Sequence, residues 1–339
     1  MSSSTLLRRG IFHANRMMTT RCGGESPWVM IRANNKAEDG TVFRFWCCAK
    51  KTNYSFFRNG YKREQEVFDF DDAIDGTLRV VGSSQGWLAL RDIHSFFLLD
   101  PIRHRCIDLP PPPFENENNR IVVQSIVLSP LLASEKGDEG GKAFMVFGVG
   151  QWLAFCSPKS HGCEWATFGD VGTGYDSVVY STTHRRLLCI SSTCKLEGWD
   201  VRGDSSPSLD IDWVAQLKFD PPAPLPAMHL KYLVCAEEDL LLVVRIFENN
   251  CFMVYRVDLE RRRLMKMDKS LEELTIFVGN NDAITIKDVA GVKPDSIYFT
   301  SDHRMSGYNP LGIFDYKKCF ISPLLPNHYA YYPAWFTYK

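Results

Sequence analysis

The sequence predicts an all-β protein: a β-propeller of six or seven four-stranded blades, its ring closed by the N- and C-terminal strands. Three observations point there. Apolar runs of strand length alternate with turn chemistry along most of the 339 residues. A strand ending in aspartate, then a basic or polar turn, then another strand recurs at Asp100, Asp200, Asp258 and Asp315. The last three of these aspartates are 58 and 57 residues apart, near the length of one four-strand repeat, about 50 residues.

The clearest unit is Gly82 to Pro113. Gly86 to Leu90 is a short apolar strand that stops at Arg91-Asp92, and Ser95 to Leu99 is a second that stops at Asp100-Pro101. Cys106 to Leu109 is a third, closed by four prolines. Proline cannot donate to a ladder, so strands end there or lie on an edge. No apolar residues in this stretch recur at i, i+3, i+4, i+7, so a helix is not expected.

Before this unit, Pro27 to Ile31 starts the folded part, and Thr41 to Cys48 with Tyr54 to Phe57 reads as a hairpin. After it come Ile121 to Leu128, an exposed Gly- and acid-rich loop at Ser134 to Lys142, and strands at Ala143–Val149, Trp152–Cys156 and Trp165–Phe168. Ser177–Tyr180, Arg186–Ile190 and Lys195–Val201 make a fourth blade. Residues 203–229, with five prolines, read as a long connection of low order. Tyr232 to Met267 holds a fifth blade and Phe277 to Ile321 a sixth. A last strand carries Trp335. An open ring leaves bare edges, so the Trp28 and Trp335 strands are expected to pair. The four aspartates are read as structural, each accepting backbone N–H bonds in its turn. One per blade is a periodicity rather than a set of catalytic carboxylates.

Residues 1–24 differ in kind. They carry Arg8, Arg9, Arg16 and Arg21, several serines and threonines, and no acid. At helical spacing Leu7, Ile11, Ala14 and Met18 share a face opposite Arg9 and Arg16. That is the composition of an organelle transit peptide, disordered until it meets a receptor or an anionic surface. Arginine dominance favours the mitochondrion; a plastid or dual address is the alternative, and cytosol or nucleus follows if the segment is not a transit peptide. Losing four positive charges would take the net charge from −1 to −5, which does not suit nucleic acid.

The apolar share of 45% and charged share of 23% are ordinary for a globular domain. No run of 18 apolar residues exists, so no membrane partner is expected. The eleven cysteines are irregularly spaced with no C-x-x-C, which reads as reduced thiols, most of them buried. No Walker loop, H-E-x-x-H, EF-hand or G-x-S-x-G occurs. His161-Gly162-Cys163 is the nearest His/Cys approach. The expectation is no catalytic residue, no cofactor and no metal.

The residues also carry a resemblance. Pro27-Trp28, Gly82-Ser83-Ser84-Gln85-Gly86-Trp87-Leu88, Leu98-Leu99-Asp100-Pro101 and Leu109-Pro110-Pro111 resemble the plant F-box-associated KIB-type β-propeller family. So do Leu153 to Cys156 with Trp165, Tyr232 to Val234, Phe252 to Asp258, Lys293 to Thr300 and Pro333 to Thr337. The resemblance covers residues 27–338 as a single propeller domain. Many members carry an F-box ahead of the propeller and resemble substrate receptors of Skp-cullin ubiquitin ligases. Only 26 residues precede Pro27 here, and none fits an F-box, so the chain looks like the F-box-less, organelle-targeted branch. The resemblance carries over no catalytic residue, and with no catalytic motif in the chain the expectation is a non-enzymatic protein–protein interaction propeller, a monomer whose protein partner the sequence does not identify. The alternative is a ligase receptor without its own F-box.

Overall fold

The computed structural model describes residues 12–13, 27–37, 40–59, 79–91, 96–100, 105–113, 123–130, 141–148, 151–158, 163–169, 174–201, 210–220, 229–237, 239–279, 283–300, 311–324 and 334–336. They form six sheets of four or five strands, arranged as the blades of a propeller.

Blade 1 takes β1 (Phe12–His13), β2 (Trp28–Ala37), β3 (Gly40–Cys47) and β4 (Thr52–Asn59) from the start of the chain. Blade 2 is β5 (Arg79–Ser84), β6 (Trp87–Arg91), β7 (Phe96–Asp100) and β8 (Arg105–Leu109). Blade 3 is β9 (Val123–Leu128), β10 (Ala143–Phe147), β11 (Trp152–Cys156) and β12 (Ala166–Phe168). Blade 4 is β13 (Tyr175–Ser181), β14 (Arg186–Ser191), β15 (Lys195–Asp200) and β16 (Asp210–Gln216). Blade 5 is β17 (Lys218–Asp220), β18 (His229–Ala236), β19 (Asp239–Ile246), β20 (Cys251–Asp258) and β21 (Arg263–Lys266). Blade 6 is β22 (Thr275–Val278), β23 (Ile284–Ile286), β24 (Ser296–Thr300), β25 (Leu311–Asp315) and β26 (Phe320–Pro323). The final strand, β27 (Ala334–Phe336), returns to blade 1 as its innermost strand, giving the order β1-β4-β3-β2-β27.

The ring is therefore closed by the two ends of the domain. β2 and β27 pair antiparallel with Trp28 opposite Phe336 and Val29 opposite Trp335. The two tryptophans consequently point to opposite faces of the blade. Trp28 packs toward blade 2, its ring 6.1 Å from Phe45 and 6.3 Å from Phe336. Trp335 packs toward blade 6 among Phe277, Tyr298 and Leu311.

Six apolar cores lie one at each junction between neighbouring blades. A middle strand is thus covered on both faces and has no polar side, which is why β19 reads Leu-Leu-Leu-Val-Val rather than alternating. Polar groups stitch the junctions nearer the axis. Ser83 Oγ donates to the Trp335 carbonyl between blades 1 and 2. Gln85 Nε2 donates to the Leu128 carbonyl at 2.8 Å, while the Leu128 N–H donates to Ser84 Oγ at 3.1 Å. The Tyr175 N–H reaches the Gln151 carbonyl at 3.0 Å between blades 3 and 4. The Leu233 N–H donates to Ser177 Oγ at 3.0 Å, and Thr285 Oγ1 to the Cys235 carbonyl at 3.3 Å. Trp335 Nε1 completes the circle on the Val278 carbonyl at 3.1 Å. Blade 6 also meets blade 1 through Gly291, whose φ is +82° and whose missing Cβ leaves room for the Ala49 backbone.

The structure departs from the sequence reading in three places. First, the supposed connection at 203–229 contains β16 and β17. Its prolines bracket residues 210–220 instead of interrupting them, and Trp213, Ala215 and Leu217 turn inward while Asp212, Val214 and Gln216 turn out. β16 completes blade 4, and β17 lies parallel to β21 with Lys218 opposite Arg263. Second, the three-residue β23 was not expected. It makes blade 6 five-stranded, with β22 and β24 parallel. Third, Lys142, read as the end of an exposed loop, is buried, and its Nζ donates to the Val201 carbonyl of blade 4 at 3.2 Å.

Candidate interaction surface

The four periodic aspartates end β7, β15, β20 and β25, each the strand that pairs with the last strand of its blade in chain order. The structure does not bring them together. Asp258 accepts the Arg261 N–H at 2.8 Å, and Asp315 accepts the Lys318 N–H at 3.0 Å, each closing its own turn. Asp100 is fully buried and takes the Arg105 guanidinium at 2.9 Å, while that guanidinium stacks 4.8 Å from the Trp87 ring centroid. Asp200 sits opposite Asp210 where β15 and β16 separate. Arg8, Arg9, Arg16 and Arg21 lie outside the described residues.

What sequence reasoning missed is the company Asp315 keeps. Lys293 Nζ reaches its carboxylate at 2.5 Å. In the crossed sense, Lys317 Nζ reaches Asp295 at 2.8 Å. Asp295 also accepts Ser270 Oγ at 2.8 Å and the Leu271 N–H at 2.6 Å. Two carboxylates and two ammoniums therefore tie the approach to β24, the approach to β22 and the β25–β26 turn into one rigid piece. The signal in the sequence was there: Lys293-Pro294-Asp295 and Asp315-Tyr316-Lys317-Lys318 carry complementary charges at matched spacing.

Beside that piece stands Phe320, at 63% the most exposed of the exposed large apolar side chains among the described residues. It opens β26 directly opposite Asp315. A single exposed aromatic is ordinary. One held on a turn pinned by two ion pairs loses little entropy when a partner covers it, which is how interface anchors behave.

Both carboxylates titrate low. Lys293 beside Asp315 is the main cause there, and it outweighs burial. At Asp295 burial pushes upward, but Lys317, Ser270 and the Leu271 N–H together pull the carboxyl below its usual range. A carboxylate depressed on folding stabilises the fold above its unfolded value, about 3.9, and that contribution fades as pH falls through the folded value. The thermal midpoint is thus expected to fall below about pH 4, and less steeply in an Asp295→Asn, Asp315→Asn double variant. Melting curves between neutral and strongly acid pH check this; parallel acid limbs in the two proteins would count against it.

Elsewhere buried charge is consumed in structural ties. Lys231 Nζ, with no solvent exposure, donates to Asp176 and to the Ser192 carbonyl, both at 2.7 Å. Glu197 accepts from Tyr175 Oη and from Lys195 Nζ, both at 2.8 Å. The Arg245 guanidinium sits among Phe247, Phe252 and Phe299, 4.4 Å from the last ring centroid. Among the described residues no group of three His, Cys, Asp or Glu side chains could hold a metal ion. Among them, too, no helix is long and apolar enough to cross a membrane.

The sequence matches the KIB1-4 β-propeller family over residues 56–315, from blade 1 to the end of β25 in blade 6. This chain belongs to the KIB1-4 β-propeller family. No curated protein matches it. Among solved structures it is similar to the β-propeller domain of Cps50 (Swd1) from Myceliophteria thermophila, with 12% identity, a TM-score of 0.43, and 91% of this chain and 88% of that one covered. It is also similar to TolB from Acinetobacter baumannii, with 11% identity, a TM-score of 0.47, and 92% and 66% covered. A third is the Malassezia sympodialis allergen Mala s 1, with 9% identity, a TM-score of 0.38, and 92% and 95% covered.

Proposed function

We propose that this KIB1-4 propeller is a non-enzymatic protein-interaction module of a plant mitochondrion, and that its partner, a protein, docks on the β25–β26 edge of blade 6. The observation that carries the reading is Phe320, exposed on a turn that Lys293–Asp315 and Lys317–Asp295 make rigid. Lys317 and Lys318 flank it, so a partner surface pairing an apolar socket with carboxylates fits best. The mitochondrial address rests on the acid-free, arginine-bearing residues 1–24. Cleavage after residue 24 would remove β1 and leave β4 as the outer edge of blade 1.

The test is proximity labelling in intact plant cells with the full-length chain and with Phe320→Glu. The wild type is expected to label mitochondrial proteins. The variant is expected to reach the same compartment, melt at the same temperature and lose one or a few of those neighbours. An unchanged neighbour set would remove blade 6 as the contact. Recovery of a Skp-type adaptor would replace the reading with a ubiquitin-ligase receptor.

A further inference from the structure

We propose that Cys163 and Cys156 form a peroxide-responsive dithiol that closes to a disulfide and locks the outer edge of blade 3. The two side chains pack into one core, and each thiol perturbs the other. The local geometry explains why. β11 and β12 run antiparallel, their last pair being Phe155 opposite Ala166, so the chain from Cys163 to Trp165 enters β12 next to Cys156 at the end of β11. Cys156, Trp165 and Cys163 all pack into the core between blades 2 and 3. Trp165 fixes that approach, since its Nε1 donates to the Pro110 carbonyl at 2.8 Å and its ring stacks 6.1 Å from Phe96.

The two sulfurs are differently placed for different steps. Cys156 is buried, whereas Cys163 is half-buried and open to a small oxidant. The Cys156 side chain draws the Cys163 thiol below its ordinary value; burial and Glu164 oppose this, and a backbone hydrogen bond at Ser157 assists it. Burial pushes Cys156 well up. Burial likewise pushes up Cys48, Cys189, Cys194 and Cys251. The thiolate is the nucleophile, and Cys163 is the sulfur of the pair that a small oxidant reaches, so oxidation begins there.

The chemistry balances with hydrogen peroxide as oxidant. The Cys163 thiolate attacks one peroxide oxygen and the O–O bond breaks, giving Cys163 sulfenic acid and hydroxide, which leaves as water after taking up a proton. The Cys156 sulfur then attacks the Cys163 sulfur. The S–O bond breaks, and the sulfenic oxygen departs as a second water carrying the Cys156 proton. Two thiols and one peroxide yield one disulfide and two waters, and a dithiol reductant reverses the change. The product tethers the three-residue β12 to β11, where the ladder supplies only three paired positions. This inference is independent of the blade 6 docking surface.

Full-length protein is exposed to hydrogen peroxide, quenched, alkylated and mapped by mass spectrometry. The expected result is a Cys156–Cys163 cross-link that forms before the exposed Cys106 and Cys319 are oxidised and that dithiothreitol reverses. Cys163→Ser abolishes it and leaves Cys156 alkylatable after denaturation. Cys156→Ser stops at a Cys163 sulfenic acid that dimedone traps. Cys163 is half-buried, so its serine variant keeps the test decisive even if replacing the buried Cys156 prevents folding. Cys163 remaining a free thiol while Cys106 and Cys319 oxidise overturns the proposal, as does cross-linking to any other cysteine.

Discussion

Trp335→Ala is expected to destabilise the whole propeller, by about 3–5 kcal/mol. The side chain has no solvent exposure and fills the junction between blades 6 and 1. Its ring meets Phe277 edge-on at 4.9 Å and Tyr298 at 6.0 Å. Truncation leaves a cavity bounded by strands that are themselves part of the closure, so collapse around it would open the ring. The variant also strands the Val278 carbonyl that Trp335 Nε1–H satisfies. Trp335→Phe separates the two effects: it keeps most of the apolar volume and loses the donor, which alone costs about 1–3 kcal/mol. Phe320→Ala, at a residue 63% exposed, is the control and should change little. Against a total of about 5–15 kcal/mol, the alanine variant of Trp335 removes a large share of the margin. Urea unfolding followed by far-UV circular dichroism reads the difference. Deleting residues 331–339 should act in the same direction, because β2 then loses its inner neighbour. A Trp335→Ala midpoint matching wild type would mean that the two ends of the domain do not hold the ring together.

That closure was legible in the sequence because tryptophan and aromatic runs at both ends cannot be left on open edges. The turn aspartates were legible too, since Asp before a basic residue at a strand end has one common physical use, and Asp258 and Asp315 show it in their bonds to backbone N–H groups. β16 was hidden by composition: prolines on either side masked a run whose period-two pattern is otherwise plain at Trp213, Ala215 and Leu217. β23 was hidden by length, since three residues carry too little pattern to stand out. The candidate contact and the dithiol were hidden for a different reason. Lys293 and Asp315 are 22 residues apart, and their meeting depends on how β22 to β26 are ordered within the blade. Cys156 and Cys163 are close in sequence, yet their spacing alone does not say which face of blade 3 each occupies. Phe320 belongs to a strand, and only the packing shows that its side is uncovered.

The second large effect is at the axis. Asp176→Ala is expected to cost about 3–5 kcal/mol, far more than removing an exposed carboxylate. Lys231 donates at 2.7 Å to both Asp176 and the Ser192 carbonyl, and the ammonium has no solvent exposure. Without Asp176 a positive charge stays buried against a neutral carbonyl, and burying an unpaired charge is the costly half of such a pair. Replacing both partners with apolar residues, Asp176→Leu with Lys231→Met, removes that penalty; paired replacements of this kind run from neutral to about 4 kcal/mol stabilising. The double variant should therefore be more stable than either single one, with a coupling energy of about 0.5–3 kcal/mol or more in a double-mutant cycle. Additive single effects would show that the two groups do not interact on folding. The cycle also asks what the pair is for. β13 and β18 are the innermost strands of adjacent blades, and the Leu233 N–H bond to Ser177 Oγ already sets their register. If the apolar double variant unfolds as cooperatively as wild type, that register bond and the surrounding core specify the junction of blades 4 and 5. If it broadens the transition, the ion pair fixes the angle at which one blade follows the next, and the same logic extends to the other buried charges that cross blade junctions, Lys142 and Arg245.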